Sequence, residues 1–284
     1  MNPLKKLFKQ TAIYGLATVL PRMLSFLLLP LYTGILETAG FGKVSVIFAW
    51  FAIFNVLLAY GMETAFFRFF NGSDDKAKVV STSLISILVS STLFFVVALL
   101  FQSSMAELTG IDIKYIRFTI YILTLDALVI IPFAWLRANE KPMKYAIIKI
   151  VNVAINFGLS IFFLLLLPNM VEGNPDGVMS TIYKPDFEIS YIFISNLIAS
   201  GVTLLFMLGL YLDNKYTFDI DLWKRMMKYG WPVLVAGIAF SINEVFDRVM
   251  LEHILPEDIA ESEVGKYSAC YRLGLFMTLF ATAF

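Results

Sequence analysis

Long apolar blocks, each about as long as a bilayer is thick, alternate with short charged segments along this chain. Crossing roughly 30 Å of hydrocarbon takes about 20 helical residues at about 1.5 Å each. Blocks of that length occupy residues 11–36, 43–67, 79–101, 117–136, 146–168, 190–212 and 230–252, and an incomplete eighth starts near 267. Their apolar residues run on without period-2 or period-3.6 stripes, which predicts helices surrounded by lipid and other helices. The expected fold is all-α, a polytopic transmembrane helix bundle, truncated at its C-terminal end because the last block stops inside an apolar run.

Composition narrows the class. The chain is 59% hydrophobic and 15% charged, whereas soluble domains are about half apolar and a quarter charged. A net charge of zero, with no uniformly basic face, excludes nucleic acid as a partner. The single cysteine, Cys270, cannot form an internal disulfide, and no Cys/His spacing fits a zinc site, so no metal or cofactor is expected. Lys5, Lys6 and Lys9 before the first block imitate a signal peptide. That block is too long for one and no small-residue cleavage site follows, so it reads as a retained span.

Charge between the spans predicts orientation, because Lys and Arg collect on the cytoplasmic side. Of the 22 Lys and Arg, fourteen fall on the side of the amino terminus, five on the other side, and Arg22, Arg248 and Arg272 lie within spans. The amino terminus is thus expected in the cytoplasm. The outer side carries a 169–189 loop and an acidic loop around Glu257, Asp258, Glu261 and Glu263, with the only histidine, His253, exposed beside it. The charged stretch 213–228 reads as a cytoplasmic linker between a six-helix lobe, 1–212, and the first two helices of a second lobe, 229–284. A weak internal echo agrees with that division: Tyr14-Gly15 and Gly42-Lys43 head spans one and two, as Tyr229-Gly230 and Gly265-Lys266 head spans seven and eight.

Several short motifs in fixed order carry a resemblance to a known family. They are the Lys-rich opening with Tyr14-Gly15, Arg22 and Pro30; Gly40-Phe41-Gly42; Gly61-Met62-Glu63-Thr64-Ala65 with Arg68; Arg137-Ala138-Asn139-Glu140-Lys141; and Asp247-Arg248 followed by Val264-Gly265-Lys266-Tyr267. Over its whole length the chain resembles the polysaccharide biosynthesis flippases of the multidrug/oligosaccharidyl-lipid/polysaccharide exporter (MOP) superfamily. The resemblance implies two facing six-helix lobes of MATE-like type around a cationic cavity. It also implies a polyprenyl-pyrophosphate-linked oligosaccharide as substrate, a bacterial inner membrane as location, polysaccharide polymerase machinery as a partner, and no enzymatic activity.

Charges inside the spans are the candidate site, because a charge at the bilayer centre costs from about 3 to more than 10 kcal/mol unless it faces a cavity or a partner. Arg22 lies about 16 Å into span one, sharing a face with Thr18 and Ser25 between Pro21 and Pro30. It either binds the substrate's pyrophosphate through its planar fork of donors or pairs statically with Asp126 of span four. Arg248 and Arg272 form an exit path for the anionic head group, or Glu244 and Arg248 neutralise each other at i, i+4, with Asp247 beside them. Glu63 is an interfacial partner of Arg68 or a cytoplasmic gate. Asn152 and Asn156, on a stripe with Lys149 and Ser160, bond sugars or a neighbouring helix. Asp126 and Glu244 are the carboxylates placed to couple an ion gradient. Two other functions compete: a drug/cation antiporter of the same superfamily, and a membrane-embedded glycosyltransferase or polymerase.

Overall fold

The computed structural model of the chain describes residues 13, 15, 19–20, 23–24, 26–213 and 216–283, with side chains through Gly274. Most of these residues are helical, with no strand among them. Helix α1 covers Phe26–Ile35; α2, Thr38–Ala59, and α3, Met62–Gly72, form one broken passage. Then come α4, Lys76–Leu100, α5, Gln102–Thr109, and the broken pair α6, Ile113–Leu128, and α7, Ile130–Ala138. Helix α8, Pro142–Ile161, passes through a π-helical turn into α9, Leu167–Gly173. Helix α10 spans Glu188–Leu212, α11 Ile220–Ile254 and α12 Glu257–Ala283.

Five passages are long and apolar enough to cross a membrane: Thr38–Gly72, Lys76–Leu100, Ile113–Ala138, Pro142–Gly173 and Glu188–Leu212. They coincide with predicted spans two to six. Two segments read as loops prove helical. The acidic run from Glu257 to Glu263 is the beginning of α12, joined to α11 by Leu255 and Pro256 alone. Carboxylates in a first turn suit the positive end of the helix dipole, which makes this a helix start. His253 accordingly sits in the last turn of α11, still exposed, with its Nδ1 2.9 Å from the Val249 carbonyl. Residues 220–228 of the expected linker likewise belong to α11, whose first turn is capped by Asp219. Its carboxylate accepts from the backbone N–H groups of Asp221 and Leu222, each at 2.9 Å.

In hydrocarbon, a break in a helix frees backbone groups that need protein partners. At the α6–α7 break the Leu128 carbonyl accepts from the Tyr211 hydroxyl of α10 at 2.6 Å. At the α2–α3 break Tyr60 and Gly61 adopt positive φ, +33° and +70°. A side chain at Gly61 would be strained by that backbone and would also strike Gly230 of α11, whose carbonyl oxygen lies 2.2 Å from the position of a Cβ.

Helix α2 is the hub of the packing, touching α4, α6, α11 and α12. It meets α12 backbone to backbone. A Cβ on Gly42 would stand 1.9 Å from the Glu261 carbonyl oxygen, and one on Gly265 would stand 2.1 Å from that of Thr38. The contact is reciprocal, since 42 and 265, like 38 and 261, are 223 positions apart. That is the arrangement two copies of one helix would make across a two-fold axis. Beside it, Lys43 of α2 pairs with Glu261 of α12 at 3.1 Å.

The start of α11 is held by a row of hydroxyls on α4. Ser81 Oγ accepts from the Thr217 N–H at 2.6 Å and Thr82 Oγ1 from the Asp219 N–H at 3.3 Å. One turn on, Trp223 Nε1 donates to Ser86 Oγ at 2.8 Å, and Ser86 also meets the Tyr60 hydroxyl at 2.8 Å. Lys78 closes the clasp on Asp219 at 2.7 Å and, with the capping N–H groups, pulls the Asp219 carboxyl down to about 2.

Two predictions follow from these contacts. Gly42→Val and Gly61→Val each destabilise the detergent-solubilised protein by about 1–3 kcal/mol in thermal unfolding, whereas Gly72→Ala, with nothing within 4 Å of its Cβ position, is near neutral. The Asp219 contribution, from a carboxyl held below its ordinary value of 3.8, is fully present above pH 4 and is lost as pH falls from about 4 to 2. In a variant retaining Trp223 as its sole tryptophan, emission stays constant from pH 7 to 4 and shifts to the red below.

Candidate functional site

Two polar clusters stand out in this apolar bundle. The first is a cavity of about 380 Å³ lined by α2, α3, α6, α7, α8 and α10. Helices α2 and α3 bring Asn55 and Glu63, α6 and α7 bring Asp126 and Arg137, α8 brings Lys149 and Asn152, and α10 brings Asn196, Ser200 and Thr203. The last three lie four and three residues apart, which places them on one helix face.

Pairing inside this cavity differs from the sequence-based expectation. Glu63 pairs with Arg137 instead of Arg68, because α3 begins where α7 ends and the two helices pack together. Each residue also sits at the helix end its charge favours: Glu63 in the first turn of α3, Arg137 in the last turn of α7. Arg68 lies instead over the Tyr229 ring, 4.3 Å from its centroid. Asp126 accepts from Ser200 Oγ at 2.7 Å and feels the charge of Lys149. The Lys149 ammonium stands 4.3 Å from the Phe133 ring centroid. Asn152 Nδ2 donates to Thr203 Oγ1 at 2.8 Å, so this amide does tie α8 to α10 while also lining the cavity. Two cations and two carboxylates balance, leaving a neutral, hydrogen-bonding chamber.

The second cluster lies between α11 and α12. Arg248 keeps only 9% of its surface exposed, and its guanidinium covers the Tyr271 ring at 4.5 Å from the centroid. The direct Glu244–Arg248 pair expected from their spacing is replaced by this ring. Tyr271 donates its hydroxyl to Glu244 at 2.9 Å, so one side chain occupies the space between the two charges. Tyr267 similarly donates to Asp247, whose other oxygen accepts from the Arg248 backbone N–H at 2.8 Å. The Arg272 guanidinium is 5.2 Å from the centre of the Phe41 ring of α2, within reach of the fields of Arg248 and Tyr32. Tyr32 in turn meets Ser160 at 3.3 Å, and Ser160 donates to Asn156 Oδ1 at 3.4 Å. Asn156 therefore belongs to this side of the molecule and stands apart from the residues that line the first cavity.

Among the described residues neither Arg248 nor Arg272 has a carboxylate within ion-pair distance. Arg22, with its neighbours Tyr14, Thr18, Pro21 and Ser25, falls outside the described residues, and so does its expected pairing with Asp126. The structure thus gathers Glu63, Asp126 and Asn152 into one chamber and Glu244, Asp247, Arg248 and Arg272 into another place. Sequence reasoning missed Tyr32, Tyr267 and Tyr271, although Tyr267 and Tyr271 share the i, i+4 spacing of a single helix face.

The sequence pattern of the family described as polysaccharide biosynthesis protein matches residues 7–284. The chain belongs to that family. No curated protein sequence matches it. Among solved structures, its fold is shared with an inward-facing multidrug resistance MATE family transporter of the MOP superfamily, at a TM-score of 0.65 and 16% identity over 90% of this chain and 58% of that one. A MOP superfamily transporter from Pyrococcus furiosus superposes at 0.54 with 16% identity, covering 93% and 65%. A MATE in complex with MaD5 gives 0.54 and 16%, covering 93% and 66%. The chain spans about three-fifths of the length of these relatives in fold. Within this family the broken passages and the paired clusters described above are what this particular chain places inside the bundle.

The Glu63–Arg137 pair keeps 34% of the arginine side chain and 41% of the glutamate side chain exposed, so solvent screens it. A double-mutant cycle with Glu63→Gln and Arg137→Gln returns a coupling energy of about 1 kcal/mol or less in unfolding measurements.

Proposed function

We propose that the chain is part of a transporter that flips polyprenyl-pyrophosphate-linked oligosaccharide repeat units across the bacterial inner membrane by alternating access. Such units feed O-antigen, capsule or exopolysaccharide synthesis. Family and fold both point to transport rather than enzyme catalysis. The observation that carries the substrate is the pair of guanidiniums, Arg248 buried and Arg272 half-buried between helices, neither with a carboxylate within ion-pair distance among the described residues. A buried cation is costly unless something neutralises it, and a pyrophosphate offers oxygens that match the guanidinium fork. Arg22 is assigned to the same anion path on sequence grounds, with Asn156 reaching it through Ser160 and Tyr32.

In this reading residues 1–212 form the first lobe, 213–228 carry the connection on the cytoplasmic side, and 229–284 open the second lobe. The amino terminus is cytoplasmic and the polymerase machinery is the downstream partner. Asp126, in a neutral chamber beside Lys149, is the group that couples an ion gradient, and Glu63 with Arg137 gates the chamber's end. Glu244 and Asp247 act through Tyr271 and Tyr267 to hold Arg248 in place.

The test is delivery of lipid-linked oligosaccharide to the outer face of vesicles containing the intact protein. Arg272→Gln and Arg248→Gln each reduce delivery at least about tenfold, the cost of one charged hydrogen-bonding group, while insertion and thermal stability hold. Unchanged delivery returns both arginines to a structural role. Absence of delivery by the parent protein, together with resistance to toxic cations, assigns the drug/cation antiporter reading instead.

A further inference from the structure

Away from both clusters, two depressions on the outer wall of the bundle run into each other. One, of about 480 Å³, opens where α4 and α8 begin and α7 and α10 end, with Lys76, Lys144, Trp135, Asn139 and Asp213 at its mouth. The other, of about 440 Å³, is lined by apolar side chains apart from Lys144, among them Ile147, Val151 and Phe206. Lys144 and Phe206 line both. From Lys144 to Val151 the groove descends seven residues of α8, about 10 Å into the apolar layer.

We propose that this joined groove is a binding site for an anionic glycerophospholipid of the bilayer, with phosphatidylglycerol as the fitting chemistry. The site is independent of which substrate the protein carries. Its shape divides as a lipid does, an apolar trough below and a charged mouth at the interface. Lys76 and Lys144 are exposed, and among the described residues neither makes an ion pair. The Lys76 ammonium lies 5.1 Å from the centre of the Phe70 ring, a contact that leaves its N–H donors open to a phosphate, as are those of Lys144. Trp135 at the mouth suits headgroup depth, and the Lys141 ammonium over its ring, at 4.3 Å, adds a third cation nearby. Among the described residues Asp213 is the one carboxylate lining the mouth. With Asn139, whose Nδ2 already donates to the Trp135 carbonyl, it leaves acceptor oxygens for the hydroxyls of a glycerol headgroup. This mouth lies on the face that collects the excess of Lys and Arg, the side where anionic headgroups attract basic groups by about 1 kcal/mol for each residue.

The experiment is native mass spectrometry of the full chain released from bilayers of equal phosphatidylglycerol and phosphatidylcholine. The expected result is retention of phosphatidylglycerol over phosphatidylcholine. That preference falls about fivefold for each lysine removed in Lys76→Gln and Lys144→Gln, while Val151→Trp, which fills the trough, weakens retention of both lipids. Because both lysines are solvent-exposed, their variants keep the fold, checked by an unchanged melting temperature. Equal retention of the two lipids, or a preference that survives the double lysine variant, overturns the proposal. Retention of a polyprenyl phosphate that excludes phosphatidylglycerol overturns it as well and gives the groove to the carried lipid.

Discussion

Hydrocarbon offers no hydrogen bonds, so every polar group that enters it needs a partner from the protein or its ligand. The bundle meets that constraint with pairs drawn from distant parts of the chain. The Leu128 carbonyl freed at the α6–α7 break finds Tyr211, Asp126 finds Ser200, and Glu63 finds Arg137. Breaks in the helices and charges in the core therefore coexist with tight packing. Arg248 and Arg272 depart from the rule: among the described residues their guanidiniums face aromatic rings and each other's field, which is why they carry the functional reading.

Each cluster holds two carboxylates and two cations, and they differ in how these are joined. The chamber lined by α2, α3, α6, α7, α8 and α10 is neutral and rich in amides and hydroxyls, an environment in which moving one proton or one ion changes the local field sharply. The α11–α12 cluster holds its carboxylates through tyrosines and keeps its guanidiniums together. Under the proposed function, in which an anion is admitted and a cation gradient is sensed, these tasks fall on separate helices, and the two sites then couple through helix movement instead of direct attraction.

Much of the fold was legible in the residue pattern because lipid imposes a length and a composition on every span. Spans two to six needed nothing else. The seventh and eighth were harder: α11 and α12 continue through charged residues, and Pro256 followed by Glu257 and Asp258 is a helix-start signature that an acidic-loop reading passed over. Pairings were the least legible. Glu63 has Arg68 close in sequence, yet its partner is 74 residues away, and only the packing of α3 on α7 decides between them. The Glu244–Arg248 spacing was suggestive for the same local reason, but Tyr271 from the next helix intervened. The hydroxyl row on α4 was not legible, since nothing in Ser81, Thr82 or Ser86 names the segment near Thr217 as what it holds.

Helix α2 touches α12 at Gly42 and, through the turn that follows it, touches α11 at Gly61. These points are nineteen residues apart, close to 28 Å along the axis, so the rod is borne near both of its ends. At each bearing bare backbone meets bare backbone, and beside the first the Lys43–Glu261 pair is a side-chain clasp that opens before the surfaces separate. A rod carried this way can swing free at one end while the other serves as fulcrum, and the leverage comes from its length.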